Sequence, residues 1–370
     1  MRIRHGAPSV NAPVKGILNP GFEVEVLGLV EGDPFQNNSK WYRGLNDNYY
    51  WSGGVTILPF FDHPITNNTE LSNRGLSNSE IVFKNFVDYN HLIKNIPEHV
   101  KRSGGKDIKV AVFDTGVFTK HPDLINAFMN PASRAIDFTN SPFNFEDKCG
   151  HGTHVMGIIG ARTDDSIGIK GVAPECELFN VKVLKDDCGS DGKNLRQGLE
   201  WAIKNRVDVI NMSLNITFDD YMTIQDKIQE AHDQGIIMIA AAGNNSRLLS
   251  DTLFFPSISP NIISVGAIDQ LFIQNNPTPK FNNTLDYIFP EVNIISCSTK
   301  ENSFYKEDAG SSMSTAFVSG LVALIMSSNK ENEKNSFIEI KNELSELSIT
   351  YSNNILLTDL FLIKPNQVFT

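Results

Sequence analysis

Lys109-Val110-Ala111-Val112-Phe113-Asp114-Thr115-Gly116 decides how this chain is read. The apolar run Val110–Phe113 has no polar alternation, so it suits a strand covered on both faces, and such strands belong to parallel sheets. The run stops on a carboxylate and a glycine turn. Parallel sheets present functional groups at the carboxyl ends of their strands. Asp114 is therefore either a carboxylate poised to hold something or a cap for the next turn.

Similar short runs recur at Leu178–Val183, Val207–Met212, Ile236–Ala241 and Asn261–Val265. Helical patterns fall between them, at Leu195–Lys204 and Ile224–Asp233. Alternating strand and helix predicts a three-layer α/β domain with a parallel sheet, over residues 80–370. Before it, residues 63–79 are rich in Asn, Ser, Thr and Gly and read as a linker. Residues 1–62 hold β-rich segments at Val14–Leu18, Phe22–Val30, Lys40–Gly44, Asn48–Trp51 and Val55–Leu58. Turns are expected at Gly21, Gly32-Asp33-Pro34, Asn46-Asp47 and Gly53-Gly54. These segments predict a small all-β barrel. Its Trp41-Tyr42 and Tyr49-Tyr50-Trp51-Ser52-Gly53-Gly54-Val55 resemble bacterial Src-homology-3-like domains, which leaves room for a ligand or partner of the barrel.

The 370 residues are 41% apolar and 20% charged, with a net charge of −11. That acidity argues against bulk binding to nucleic acid or anionic membranes. No apolar run approaches the ~18–20 residues that span a bilayer. The basic start Met1-Arg2-Ile3-Arg4 is not followed by an apolar segment, because Pro8, Asn11, Pro13 and Lys15 interrupt it. That predicts no secretory leader and a cytoplasmic location, where the sequons at Asn37, Asn67 and Asn282 would have no use. The four cysteines, Cys149, Cys176, Cys188 and Cys297, lack metal-site spacing and are expected to be reduced and mostly packed. Cys149 is read as a packed small residue, with a thiol sensitive to oxidants as the alternative.

Two more stretches carry chemistry. In Cys149-Gly150-His151-Gly152-Thr153-His154-Val155 a histidine sits between glycines, where backbone can come close and the ring stays accessible. Val155, Ile158 and Ile159 predict a helix from that point. Without a Glu directly after His151 the zincin pattern is absent, and His154 reads as structural. In Gly310-Ser311-Ser312-Met313-Ser314-Thr315-Ala316 a serine opens an apolar helix, either as a cap or as a nucleophile.

Taken together and in order, Asp114-Thr-Gly, His151-Gly-Thr-His and Gly310-Ser-Ser-Met resemble the subtilisin-like serine proteases, over about residues 80–348. The resemblance implies a serine endopeptidase acting through an acyl-enzyme on protein or peptide substrates. Ser312 would be the nucleophile, His151 the general base and then acid, and Asp114 the group that orients the imidazole. Asn244, after Ala240–Gly243, matches the side-chain amide that stabilises the oxyanion, with the Ser312 amide as second donor. The substrate would lie between Ser213-Leu214-Asn215 and the turn at Gly189, close to Ala242 and Gly243. Asn215 stands where the family has Gly. The loop 185–191 carries Asp186, Asp187 and Asp191, read either as solvated or as a preference for basic residues upstream of the cut. Phe254 falls where many subtilisins have Gly, so its ring either fills the primary pocket or slips into the core. The resemblance also implies structural calcium at Asp123, Asp165, Ile167 and Ile169, against a merely solvated acidic loop. Ala316 replaces a Pro that would fix the helix start. The segment 80–105 is too short for the family's inhibitory propeptide.

Overall fold

The computed structural model describes residues 2–5, 14–17, 26–35, 38–44, 48–51, 96–128, 131–162, 168–244, 254–268, 284–290, 294–300, 303–329, 335–350 and 363–364. The chain divides into two compact units, Met1–Asn85 with Thr163–Ile169, and Phe86–Arg162 with Lys170–Thr370. The expected boundaries at residues 62, 79 and 80 fall outside the described residues.

In the first unit, β1 (Arg2–His5), β2 (Val14–Ile17), β3 (Val26–Phe35), β4 (Asn38–Gly44) and β5 (Asn48–Trp51) form an antiparallel sheet in the order β2-β1-β5-β4-β3. The strand expected at Val55–Leu58 lies outside the described residues. The turn expected at Gly32-Asp33-Pro34 is corrected: these residues run inside β3, where the register against β4 shifts between Glu31 and Phe35. A bulge accommodates a proline that cannot donate to the ladder.

In the second unit the order is α1 (Glu98–Lys101), β6 (Lys109–Asp114), α2 (Pro131–Arg134), β7 (Ala135–Asp137), α3 (His151–Gly160), β8 (Glu177–Lys182), α4 (Gly192–Asn205) and β9 (Val209–Met212). There follow α5 (Phe218–Asp233), β10 (Ile237–Asn244), β11 (Ile262–Ile268), β12 (Tyr287–Pro290), β13 (Ile294–Lys300), β14 (Ser303–Asp308), α6 (Ser311–Ser328), α7 (Phe337–Leu347), β15 (Ile349–Thr350) and β16 (Ile363–Lys364). Strands β7-β8-β6-β9-β10-β11-β12 lie side by side and all parallel. β16 extends this sheet antiparallel to β12, and β15 pairs with β16. The expected α/β domain is thus built on seven parallel strands.

Period-two alternation sorts the strands' side chains between two helical layers. Ala111, Phe113, Ile210, Met212, Met238 and Ala240 share one core with Leu195, Leu199 and Ala202 of α4 and Ile224, Ile228 and Ala231 of α5. The opposite parity faces α6, as the bond from Asn211 Nδ2 to Ser319 Oγ (3.0 Å) records. Phe113 is fully buried, and its truncation to Ala costs about 3–5 kcal/mol. Helix starts follow their caps. Asp191 accepts from Lys193 N, Thr217 from Asp220 N, and Ser336 with Glu339 forms a capping box.

Strand order changes direction at β6. From there the chain goes to β7 and β8 on one side, while β9 and β10 continue on the other. The crevice beyond the carboxyl ends of β6 and β9 is therefore where an open α/β sheet offers a site. Asp114 ends β6 and Ser213 follows β9.

Candidate active site

Asp114 has the parity of Val110 and Val112, so its carboxylate emerges towards the layer of α3 and α6. It is fully buried. One oxygen, Oδ1, accepts from Thr115 N (2.7 Å) and from His151 Nδ1 (2.8 Å). The other, Oδ2, is buried with no hydrogen-bond partner. A carboxylate so poorly solvated favours a cation forming beside it.

His151 opens α3, and a close approach puts it there. Gly152 N donates to Thr115 Oγ1 (2.9 Å), and a Cβ on Gly152 would lie 2.3 Å from Gly116 O. Only glycine lets the helix start lie on the loop that carries Asp114. Burial lowers the affinity of the His151 ring for a proton, but the negative charges of Asp114, Asp147 and Asp308 and the bond to Asp114 outweigh it. The net shift is upward from the ordinary 6.5. His154 is a structural histidine. It is fully buried, its Nε2 lies 3.2 Å from the carbonyls of Ile294 and Lys306, and burial pulls its pKa down to about 4.

Ser312 sits in the first turn of α6. Gly310 precedes it at φ 123 and ψ 178, a conformation that is essentially glycine's alone. The first amides of a helix lack intrahelical partners. Here Ser311 N donates to Asn244 Oδ1 (2.9 Å), and Met313 N and Ser314 N donate to Gly310 O. Ser312 N has no acceptor among the described residues. With the Asn244 oxygen engaged by Ser311, a Cβ on Gly310 would lie 3.0 Å from Asn244 Nδ2. The Ser312 amide and the Asn244 carboxamide thus both lie at the N-terminal end of α6, where the helix dipole favours negative charge.

The Ser312 hydroxyl donates to Ser213 O (3.3 Å), while Ser213 Oγ lies 2.8 Å from Ser312 O. Among the described residues no hydrogen bond joins Ser312 Oγ to His151, so the hydroxyl must turn from Ser213 to meet the ring. Catalytic contacts of this kind tighten when substrate binds. In the helix start before Ala316, Thr315 Oγ1 donates to Ser311 O (2.7 Å) and Ser314 Oγ to Gly310 O (3.2 Å). α6 is long and apolar enough to cross a bilayer, but it is a core helix, mostly buried within the protein.

The substrate-binding candidates are only partly as expected. Ser213 and Leu214 are buried and Asn215 is exposed, at the end of β9. Ala242 and Gly243 line the end of β10. The Phe254 ring tip rests on Gly243, where a Cβ would lie 2.9 Å from Phe254 Cζ. Phe255 bridges to Ile216, with Ile216 N donating to Phe255 O (2.9 Å). The Phe254 ring therefore lies against the end of β10. Gly189 N is engaged by Asp187 Oδ1 (2.9 Å) and Gly189 O by Lys185 N (2.9 Å). A peptide pairing there would have to displace Asp187. The other two carboxylates of this loop are engaged too: Asp186 pairs with Lys182 (3.0 Å) and accepts from Ser141 (2.8 Å), and Asp191 caps α4. The loop acids hold the loop.

The expectation of reduced cysteines is corrected. Cys149 and Cys188 form a disulfide with Cα atoms 5.9 Å apart, and Cys176 and Cys297 are the buried free thiols. The bridge joins the segment before His151 to the turn before Gly189. Its partners lie 39 residues apart in no recognisable pattern, so only the fold reveals it.

Of the calcium candidates, Asp165 and Ile167 lie outside the described residues. Asp123 is buried, accepts from Tyr305 Oη at Oδ2 (2.8 Å), and clusters with His121 and Cys297. Imidazole and thiol are poor calcium ligands. Arg162 N donates to Asp123 O (2.8 Å). Of the described candidates, Asp123 offers oxygen to a calcium ion, whereas the cluster's nitrogen and sulfur do not suit one.

The family model of the subtilases matches residues 105–352. The minor extracellular protease Epr of Bacillus subtilis (strain 168) is 34% identical over 224 residues, covering 60% of this chain and 32% of that protein. Subtilisin BL of Lederbergia lenta is 37% identical over 253 residues, covering 66% of this chain and 85% of that one. The solved structure of Sphericase aligns at a TM-score of 0.53 and 28% identity, over 68% of this chain and 89% of that chain. The chain thus spans about a third of Epr. The cytoplasmic expectation is overturned. Epr is extracellular by name, although a major intracellular serine protease of the same bacterium also matches. The reduced cysteines that accompanied that expectation are replaced by a disulfide, a bond that persists in oxidising compartments.

Proposed function

The chain belongs to the subtilase family of serine proteases, and on that premise we propose that it is an endopeptidase working through an acyl-enzyme, with Ser312, His151 and Asp114 as its triad. The observation that carries this reading is the 2.8 Å bond from His151 Nδ1 to Asp114 Oδ1 at the carboxyl end of β6. It fixes which ring nitrogen remains for Ser312.

Ser312 Oγ attacks the scissile carbonyl while His151 Nε2 takes its proton. Asp114 steadies the imidazolium, and the ring then gives the proton to the leaving amine. The oxyanion forms where Ser312 N–H and Asn244 Nδ2 converge. The peptide runs along Ser213–Asn215, and its side chain before the cut points between the ends of β9 and β10. Phe254 occupies that space, so small residues are preferred there.

Subtilisins commonly bind structural calcium. We assign such an ion to Asp123 and to the loop that carries Asp165, Ile167 and Ile169, where it would brace the loop after α3. A fluorophosphonate probe tests the central reading. Labelling at Ser312 is expected; folded protein that stays unlabelled would point instead to a binding protein on the same fold.

A further inference from the structure

We propose that Asp147 is a positioning residue for the general base, locking the start of α3 onto the loop that carries Asp114. The inference rests on the triad reading above. Asp147 is 4% exposed and receives four hydrogen bonds. Its Oδ1 accepts from Thr115 Oγ1 (2.8 Å) and Gly150 N (2.7 Å), and its Oδ2 from Thr153 N (2.8 Å) and Thr153 Oγ1 (2.7 Å). Every donor is beside Asp114 or within two residues of His151.

Thr115 closes the loop of contacts. Its hydroxyl gives its proton to Asp147 and accepts from Gly152 N (2.9 Å), while its carbonyl accepts from Lys182 Nζ. Lys182 is fully buried and pairs with Asp186. The two residues flanking His151 are thereby tied, through one carboxylate and one hydroxyl, to the residue following Asp114. α3 lacks a side-chain cap at Gly150, and Asp147 supplies that function from outside the helix. Displacing the ring by about 1 Å would cost roughly 10²-fold in rate, and Asp147 orients the Thr115 hydroxyl that joins the two ends of the His151–Asp114 bond.

The same carboxylate acts on the ring by charge. The groups facing His151 are Asp114 from β6, Asp147 from the preceding loop, Asp308 from β14 and His154 from α3, with Lys306 facing His154. Removing the charge of Asp147 takes away one of the influences that hold the imidazolium in place.

The test uses the full chain. In Asp147→Asn an NH₂ replaces an acceptor opposite two donors, one N–H and one O–H. Turnover should fall roughly 10- to 100-fold, with KM within about twofold, and the acid limb of kcat/KM should move to lower pH. Thr115→Val removes the hydroxyl without removing charge, so kcat should fall while the limb stays. Thr115→Ser should restore turnover. Parent-like kcat and pH profile in folded Asp147→Asn would overturn the proposal. So would equal turnover of Thr115→Val and Thr115→Ser, and that pair decides if Asp147→Asn fails to fold. A parent that neither turns over peptide nor takes a fluorophosphonate at Ser312 sinks the triad reading and this one with it. An active parent with indifferent variants sinks only this one.

Discussion

In the proposed triad Ser312 would gain its reactivity from its place at a helix start, where its amide has no acceptor among the described residues and the Asn244 carboxamide is oriented by Ser311 N. Ser312→Ala should remove on the order of 10⁶ in kcat, the magnitude known for subtilisin itself, with the fold intact. Retention of more than a few percent activity in a pure sample would refute the nucleophile. Asn244→Leu should lower kcat by roughly 10²–10³ with KM little changed, again a subtilisin magnitude; a change mainly in KM would make Asn244 a binding residue. His151 must be neutral to act as base, and its pKa is raised above 6.5. The acid limb of kcat/KM should therefore lie above pH 6.5. Stability has the opposite sign: the charged His151–Asp114 pair contributes fully below pH 6.5, and that contribution is lost as pH rises through the folded pKa. The family was legible because the residue types, order and neighbouring glycines around Asp114, His151 and Ser312 act jointly. Asp147 was not legible. An aspartate four residues before a histidine looks like any loop acid until the fold turns four donors onto it.

At the scale of elements, apolar runs located the strands β6 and β8–β11, and the caps extended α4 and α5 beyond their apolar stripes, because capping residues are polar and escape a hydrophobic reading. The turn expected at Gly32–Pro34 failed for a related reason: a bulge uses the same residues as a turn. The disulfide is invisible in sequence because its partners meet only when the loop before α3 folds against the turn before α4. Closing 39 residues of chain is worth about 4 kcal/mol on the entropic account. The pair Cys149→Ser with Cys188→Ser should thus lower Tm on the order of 10 °C. An unchanged melting curve would mean that the bridge adds nothing to stability. In the proposed pocket, the Phe254 ring lies against Gly243 at the end of β10. A ring there excludes large side chains by overlap, so Phe254→Gly should raise activity on substrates with Phe or Tyr before the cut most. Equal gains for Ala and Phe substrates would place the ring outside the pocket.

For the whole molecule, the question is what the first unit does for the second. All triad residues and Asn244 belong to the second unit, and the described strand pairings of β1–β5 are all with one another. The residues proposed for nucleophilic attack, proton transfer and oxyanion binding all lie beyond the first 62. We propose instead that the β-rich segments around Trp41, Tyr42 and Trp51 belong to a module that binds a ligand or partner. Deleting residues 1–62 should therefore leave kcat/KM on a tetrapeptide within about threefold of the full chain, since short substrates occupy only the crevice. Processing of a large protein substrate bound through the first unit should fall much further, by loss of effective concentration. The measurement pairs the two substrates on one preparation whose folding is proved by a cooperative melt. A folded truncation that fails on the tetrapeptide would show that the first unit builds or props the catalytic crevice, and would make it part of the enzyme's core.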